Sequence, residues 1–101
     1  MIIYNVTVNV EAGIHEDWLH WMKTIHLPEV MATGCFKQHR FLKLLQPTPE
    51  EGVTYAIQYF AASMADYQHY VDQFVPALQA QTKARYGDKA FAFRTLLEDV
   101  G

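Results

Sequence analysis

Hydrophobic and polar positions alternate with period two from the start of the chain. In IIYNVTVNVE, Ile2, Tyr4, Val6, Val8 and Val10 share one parity, while Ile3, Asn5, Thr7, Asn9 and Glu11 share the other. The pattern predicts a strand with one apolar face and one mostly polar face. Ala12-Gly13 interrupts it, and the period then changes. Ile14, Trp18, Trp21, Met22 and Ile25 form the stripe of an amphipathic helix, with Glu16 and Asp17 in its first turn, where the helix dipole favours acids. Pro28 has no amide proton and biases Leu27 away from helix, so this helix is expected to end near His26. PEVMAT then reads as a short second helical turn, opened by Pro28 and closed by Gly34 as a left-handed cap.

CFKQHRFLKLL reads as the second strand, but its phase is broken. Phe36, Leu42 and Leu44 fall on one parity and Phe41 and Leu45 on the other, so a bulge near Arg40 is expected. QPTPEEG is a turn-rich loop. VTYAIQYFA is the third strand, with Val53, Tyr55, Ile57 and Tyr59 on one face. Ser63 and Asp66 then form a capping pattern. Met64, Tyr67, Val71, Phe74 and Leu78 continue as a helical stripe. Pro76 predicts a kink or restart in it, and Gly87 ends it. KAFAFRTLLE is the fourth strand.

The order β-α-β-β-α-β predicts an α+β fold, one ferredoxin-like domain over residues 1–101. It has a four-stranded antiparallel sheet with its helices on one face. The other face would carry Asn5, Thr7 and Asn9, with Gln58, Phe60, Arg94 and Leu96 as neighbours. Such a face is too mixed for an ordinary solvated surface and too polar for a core. A homodimer joined through the sheet faces would cover it, and such self-association is usually two-fold.

Composition narrows the function classes. Half of the residues are hydrophobic and 14% aromatic, enough for a real core. A chain this short buries only about two-thirds of its unfolded surface, which favours a partner subunit. The net charge of −3 argues against nucleic acid, which needs a concentrated basic field. Lys37, Arg40 and Lys43 on one strand read as edge protection. Cys35 is the only cysteine, so no internal disulfide forms, and a cytoplasmic setting is expected. No apolar run approaches the ~20 residues of a membrane span, and the first residues alternate as a strand instead of forming a signal peptide.

MIIYNVTVNVE, HLPEVMATG, TYAIQYF and AFRTLLE together resemble a bacterial family of small domains of unknown function. The resemblance covers nearly the whole chain. It implies the dimeric α/β barrel, in which two ferredoxin-like subunits join their sheets. That superfamily holds cofactor-independent antibiotic-biosynthesis monooxygenases, haem-degrading monooxygenases, stress-responsive barrel proteins, lactone isomerases and polyketide cyclases, and fold alone does not choose among them.

His26 is the candidate for catalysis. Similar barrels often place an H-x-P near the pocket mouth, as IHLPEV does here. Its imidazole can act as a base or hold a carboxylate; as a base it is expected to titrate near neutrality. Alternatively it caps the last helical carbonyls. Tyr4, Tyr55 and Tyr59 on the sheet, facing Trp21 on the first helix, are the candidate lining of a small apolar pocket, although aromatics at these spacings also suit plain core. No metal site is expected: His15 and His20 are five residues apart and share no helix face, and there is no C-x-x-C or H-x-H. Cys35 reads as a small buried hydrophobe and Ser63 as a cap.

No cofactor is expected. The best-known haem-degrading barrels use an asparagine, a tryptophan and an axial histidine. This chain has no tryptophan after Trp21 and no histidine in QAQTKARYG. Two function classes therefore stand side by side, with a plain interaction module as a third. One is a small homodimeric protein binding a small apolar or aromatic molecule between sheet and helices. The other is a cofactor-independent monooxygenase or isomerase. A cavity with convergent polar groups in that space supports ligand chemistry; a space filled by side chains removes it.

Overall fold

Alternation along Ile2–Val10 becomes the central strand β1 of a four-stranded sheet. The computed structural model describes residues 1–101. The sheet order is β2-β3-β1-β4, with β2 at Gln38–Lys43, β3 at Val53–Ala61 and β4 at Ala90–Glu98. Every pairing is antiparallel. Helices α1 (His15–Trp21), α2 (Leu27–Ala32), α3 (Met64–Gln73) and α4 (Val75–Tyr86) complete the chain. This is the ferredoxin-like arrangement expected from the element order.

The core lies between the helices and one sheet face. Tyr4, Val8 and Val10 of β1 and Tyr55, Ile57 and Tyr59 of β3 are buried there. Trp18, Met22, Val30, Tyr70 and Leu78 cover them from the helical side. Ser63 caps α3 by accepting the Asp66 amide at 3.2 Å. The break before Pro76 falls at Phe74, where α3 ends and α4 restarts.

Three expectations need correction. The first helix does not end near His26. Residues Met22–His26 form a π turn, closed by the Leu27 amide donating to the Met22 carbonyl, and the chain runs on into α2. A four-residue spacing drifts by about 40° per step on an α-helix of 3.6 residues per turn, and the wider turn takes up that drift. Trp18, Met22, His26 and Val30 thus keep a shared inner face, and Ile25, expected in the stripe, is exposed.

The second correction concerns the bulge near Arg40. Gln38–Lys43 pair with β3 without interruption. Phe36 lies before the strand and is buried in the core, so its parity never had to match that of Leu42. Gly34, at φ 76°, makes the expected left-handed turn ahead of it.

The third correction concerns β4. Arg94 pairs with Val6 and Leu96 with Tyr4, so both belong to the helix-facing side. The bare face instead takes Phe93 opposite Thr7 and Phe91 opposite Asn9. Hydrogen bonds from the Glu11 amide to the Lys89 carbonyl and from the Asp99 amide to the Met1 carbonyl hold both ends of this register. Ala90 and Ala92 consequently point inward, although the phenylalanines are the more hydrophobic set.

The loop before β3 closes against the end of β1. The Asn9 side chain donates to the Glu51 carbonyl and to the Thr54 hydroxyl, each at 3.0 Å. Gly52 sits at φ 68°, and a Cβ there would collide with the Val10 carbonyl. Gly34 also has positive φ but open space around it. Gly52→Ala is therefore expected to destabilise by more than about 1 kcal/mol, and by more than Gly34→Ala. Equal melting temperatures for the two variants would contradict this.

Candidate functional site

Small residues on β4 open a space that larger ones would fill. Ala90 and Ala92 point toward the helices, and a cavity of about 70 Å³ lies beside them, between sheet and helical layer. Tyr4, Val6 and Val8 form its floor with Ile57 and Tyr59. Trp18, Met22 and His26 wall it from α1 and the π turn, and Tyr70, Val75 and Leu78 from α3 and α4. Gln79 and Arg94 belong to the lining and are exposed, Thr82 beside them half-buried. The cavity therefore opens between α4 and the β4 edge.

The π turn brings His26 inward. Its ring stacks on Trp21 with centroids 4.9 Å apart and an interplanar angle of 25°. Its Nδ1 is buried without a hydrogen-bond partner, a state that costs about 1–3 kcal/mol. Burial, and secondarily the Arg94 guanidinium, push its pKa down to about 4. The ring is therefore neutral at physiological pH and a much weaker base than the near-neutral titration expected of a catalytic histidine.

Tyr4, Tyr59 and Tyr70 converge beside it. The Tyr4 ring centroid lies 5.9 Å from those of Tyr59 and Tyr70. Burial raises the pKa of all three phenols, so each keeps its proton and offers an O–H donor. Tyr55 lies outside the cavity lining, and its hydroxyl meets His15 Nε2 at 2.7 Å. Trp21 also lies outside it: its faces meet His26 and, edge-on, Tyr86, whose hydroxyl donates to Asp17. Of the residues expected at a pocket, Tyr4, Tyr59 and His26 come together, and Trp21 backs His26 from behind.

Sequence reasoning missed Arg94, Tyr70 and the α4 contribution. The signal for Arg94 was its shared parity with Ala90 and Ala92. Reading it required knowing that the small residues, not Phe91 and Phe93, face the helices. No group of three histidine, cysteine or acidic side chains is gathered to hold a metal ion. Cys35 is a free, buried thiol. No helix is long and apolar enough to cross a membrane.

The layered α+β sandwich defines a class, the proteins with a ferredoxin-like fold. Within it, the chain belongs to the family described as Domain of unknown function (DUF4286), which matches residues 1–100. No curated protein matches the chain. Among solved structures it is similar to a mutant of MhuD with two manganese protoporphyrin IX bound per active site, at 20% identity and a TM-score of 0.67, over 99% of this chain and 95% of that one. It is also similar to a candidate antibiotic biosynthesis monooxygenase from Deinococcus radiodurans, at 11% identity, a TM-score of 0.66, and 100% and 94% coverage. A dimeric ferredoxin-like protein from an uncultured marine organism matches at 13% identity with a TM-score of 0.65, over 99% and 95% of the chains. Likeness at these identities shows the fold alone.

Haem does not suit this cavity. A cavity of about 70 Å³ is far below the ~300 Å³ at which pockets begin to hold drug-sized ligands, and a porphyrin is larger still. The one histidine in the lining is pinned against Trp21.

Proposed function

We propose that the chain is a single-domain, homodimeric binding protein that takes a small apolar or aromatic molecule into the cavity between sheet and helices. The observation that carries this reading is the cavity itself: apolar walls on which Tyr4, Tyr59, Tyr70, His26 and Arg94 converge. Apolar enclosure with a few oriented polar groups is the ordinary composition of a ligand site. Its volume is about half of the ~150 Å³ that encloses benzene in an apolar cavity. A ring therefore enters part-way, and the rest of the molecule lies in the mouth between α4 and β4.

Filling the space tests the reading. Ala92 lines the cavity and is expected to tolerate leucine, because the added atoms occupy void. Small aromatic probes should quench tryptophan fluorescence, since Trp18 lines the cavity. Ala92→Leu should abolish that quenching with the melting temperature unchanged or raised. Quenching that persists in the filled variant would place the probe elsewhere and defeat the reading.

Support for the dimer comes from the bare sheet face, where Phe91 is 67% and Phe93 55% exposed in the single chain. Leu42 and Leu97 extend the same face. An apolar patch of this kind marks an interaction surface, and a second copy offers the matching sheet. A second reading, a cofactor-independent monooxygenase- or isomerase-like enzyme, is favoured by one observation, the partnerless Nδ1 of His26. In that reading a bound anion offsets the Arg94 charge and favours the imidazolium, against the larger effect of burial.

A further inference from the structure

Sixteen residues line the cavity, and no aspartate or glutamate is among them. The single formal charge there is Arg94. The chain's one ion pair joins Arg85 to Asp17 at 3.5 Å, so Arg94 has no acidic partner. This is unexpected in a chain of net charge −3, where acids outnumber bases. Arg94 lies on the helix-facing side of β4, beside Val6, and it is exposed where the cavity opens. It shares the lining with Tyr4, His26, Tyr59 and Tyr70, and its charge acts on all four.

We propose that the ligand is a small planar carboxylate, whose apolar body enters the cavity and whose carboxylate pairs with the Arg94 guanidinium. This rests on the cavity being a binding site, as argued above, and adds the chemical class of what it holds. A guanidinium matches a carboxylate with two parallel hydrogen bonds, which a neutral amide cannot reproduce. Arg94 is exposed at the mouth, so the pair forms at the rim in contact with solvent while the apolar body lies between the walls. Tyrosine O–H groups supply further donors toward the carboxylate oxygens. A cationic ligand would meet Arg94 with no acid to offset the repulsion.

Benzoate and benzamide separate the two claims, because they share a ring and differ in charge. Their affinities are measured by titration calorimetry on the full chain at low salt. Wild type is expected to bind benzoate about tenfold or more tighter than benzamide, with the difference shrinking as salt rises. Arg94→Gln should bring the ratio close to one while leaving benzamide binding in place. Arg94→Lys, which keeps the charge but loses the fork, should retain part of the preference. Circular dichroism melts check that both variants fold.

Equal binding of the two probes to wild type, or a preference that survives Arg94→Gln, overturns the carboxylate assignment and leaves the cavity reading standing. If neither probe binds at millimolar concentration, both the cavity reading and the carboxylate assignment fall.

Discussion

From pH 7 to pH 4 the protein is expected to lose about 3 kcal/mol more stability than its His26→Gln variant. The histidine pKa is about 4 in the folded chain against an ordinary 6.5. Between those values the unfolded chain takes up a proton that the folded chain refuses. Stability therefore falls as the pH drops through this window, and the loss is complete below about pH 4. The ring stacks on Trp21, which does not titrate here, and the charged group acting on it is Arg94 from β4; Tyr4, Tyr59 and Tyr70 line the same cavity. Burial raises the pKa of all three phenols, so they stay neutral throughout the window. The two proteins differ only at residue 26, so contributions from the rest of the chain cancel in the comparison. Urea unfolding at fixed protein concentration and several pH values measures the difference. Parallel stability curves for the two proteins would show that His26 is not buried as described.

Phe93→Glu is expected to convert a homodimer to a monomer, weakening association by about a thousandfold. Phe93 lies on the bare sheet face opposite Thr7 and outside the core. In a two-fold dimer the substitution is made twice, and each copy brings a carboxylate into an apolar contact. Loss of one anchoring side chain commonly costs ~2 kcal/mol or more, and burial of an unpaired charge adds to it. The subunit itself should keep its secondary structure, since Phe93 packs on nothing within the chain that holds the core. Asn9 is a poorer position for this test, because its side chain ties down Glu51 and Thr54. Sedimentation at micromolar concentration decides the matter. A wild-type monomer, or a Phe93→Glu protein that remains dimeric, refutes association through this face.

The order of elements was legible along the chain because each one reports its own periodicity. Period two marked β1 and β3, Ser63 capped α3, Pro76 lay just past the break at Phe74, and Gly87 closed α4. These signals are local, so neighbouring residues suffice to read them. The antiparallel sandwich then followed from order alone. Tyr4 and Tyr59 were also recognisable as candidates by their inward parity, and His26 by the H-x-P pattern that similar barrels place near the pocket mouth.

What remained was decided by contacts between elements distant in sequence. Phe91 and Phe93 outweigh Ala90 and Ala92 in hydrophobicity, so the strand by itself favours the wrong face. Pairing with β1, fixed at both ends, turns the alanines inward, and with them Arg94. The cavity follows from that choice, because alanine leaves space where phenylalanine would fill it. The π turn has the same origin. Pro28 reads locally as a helix stop, yet burial of Met22, Leu27 and Val30 against the sheet favours a widened turn that keeps the helical run intact. That turn places His26 beside Trp21. Residue pattern thus determined the elements and their order, while register and packing between them determined the site. A strand's parity has two equivalent choices until a neighbour selects one.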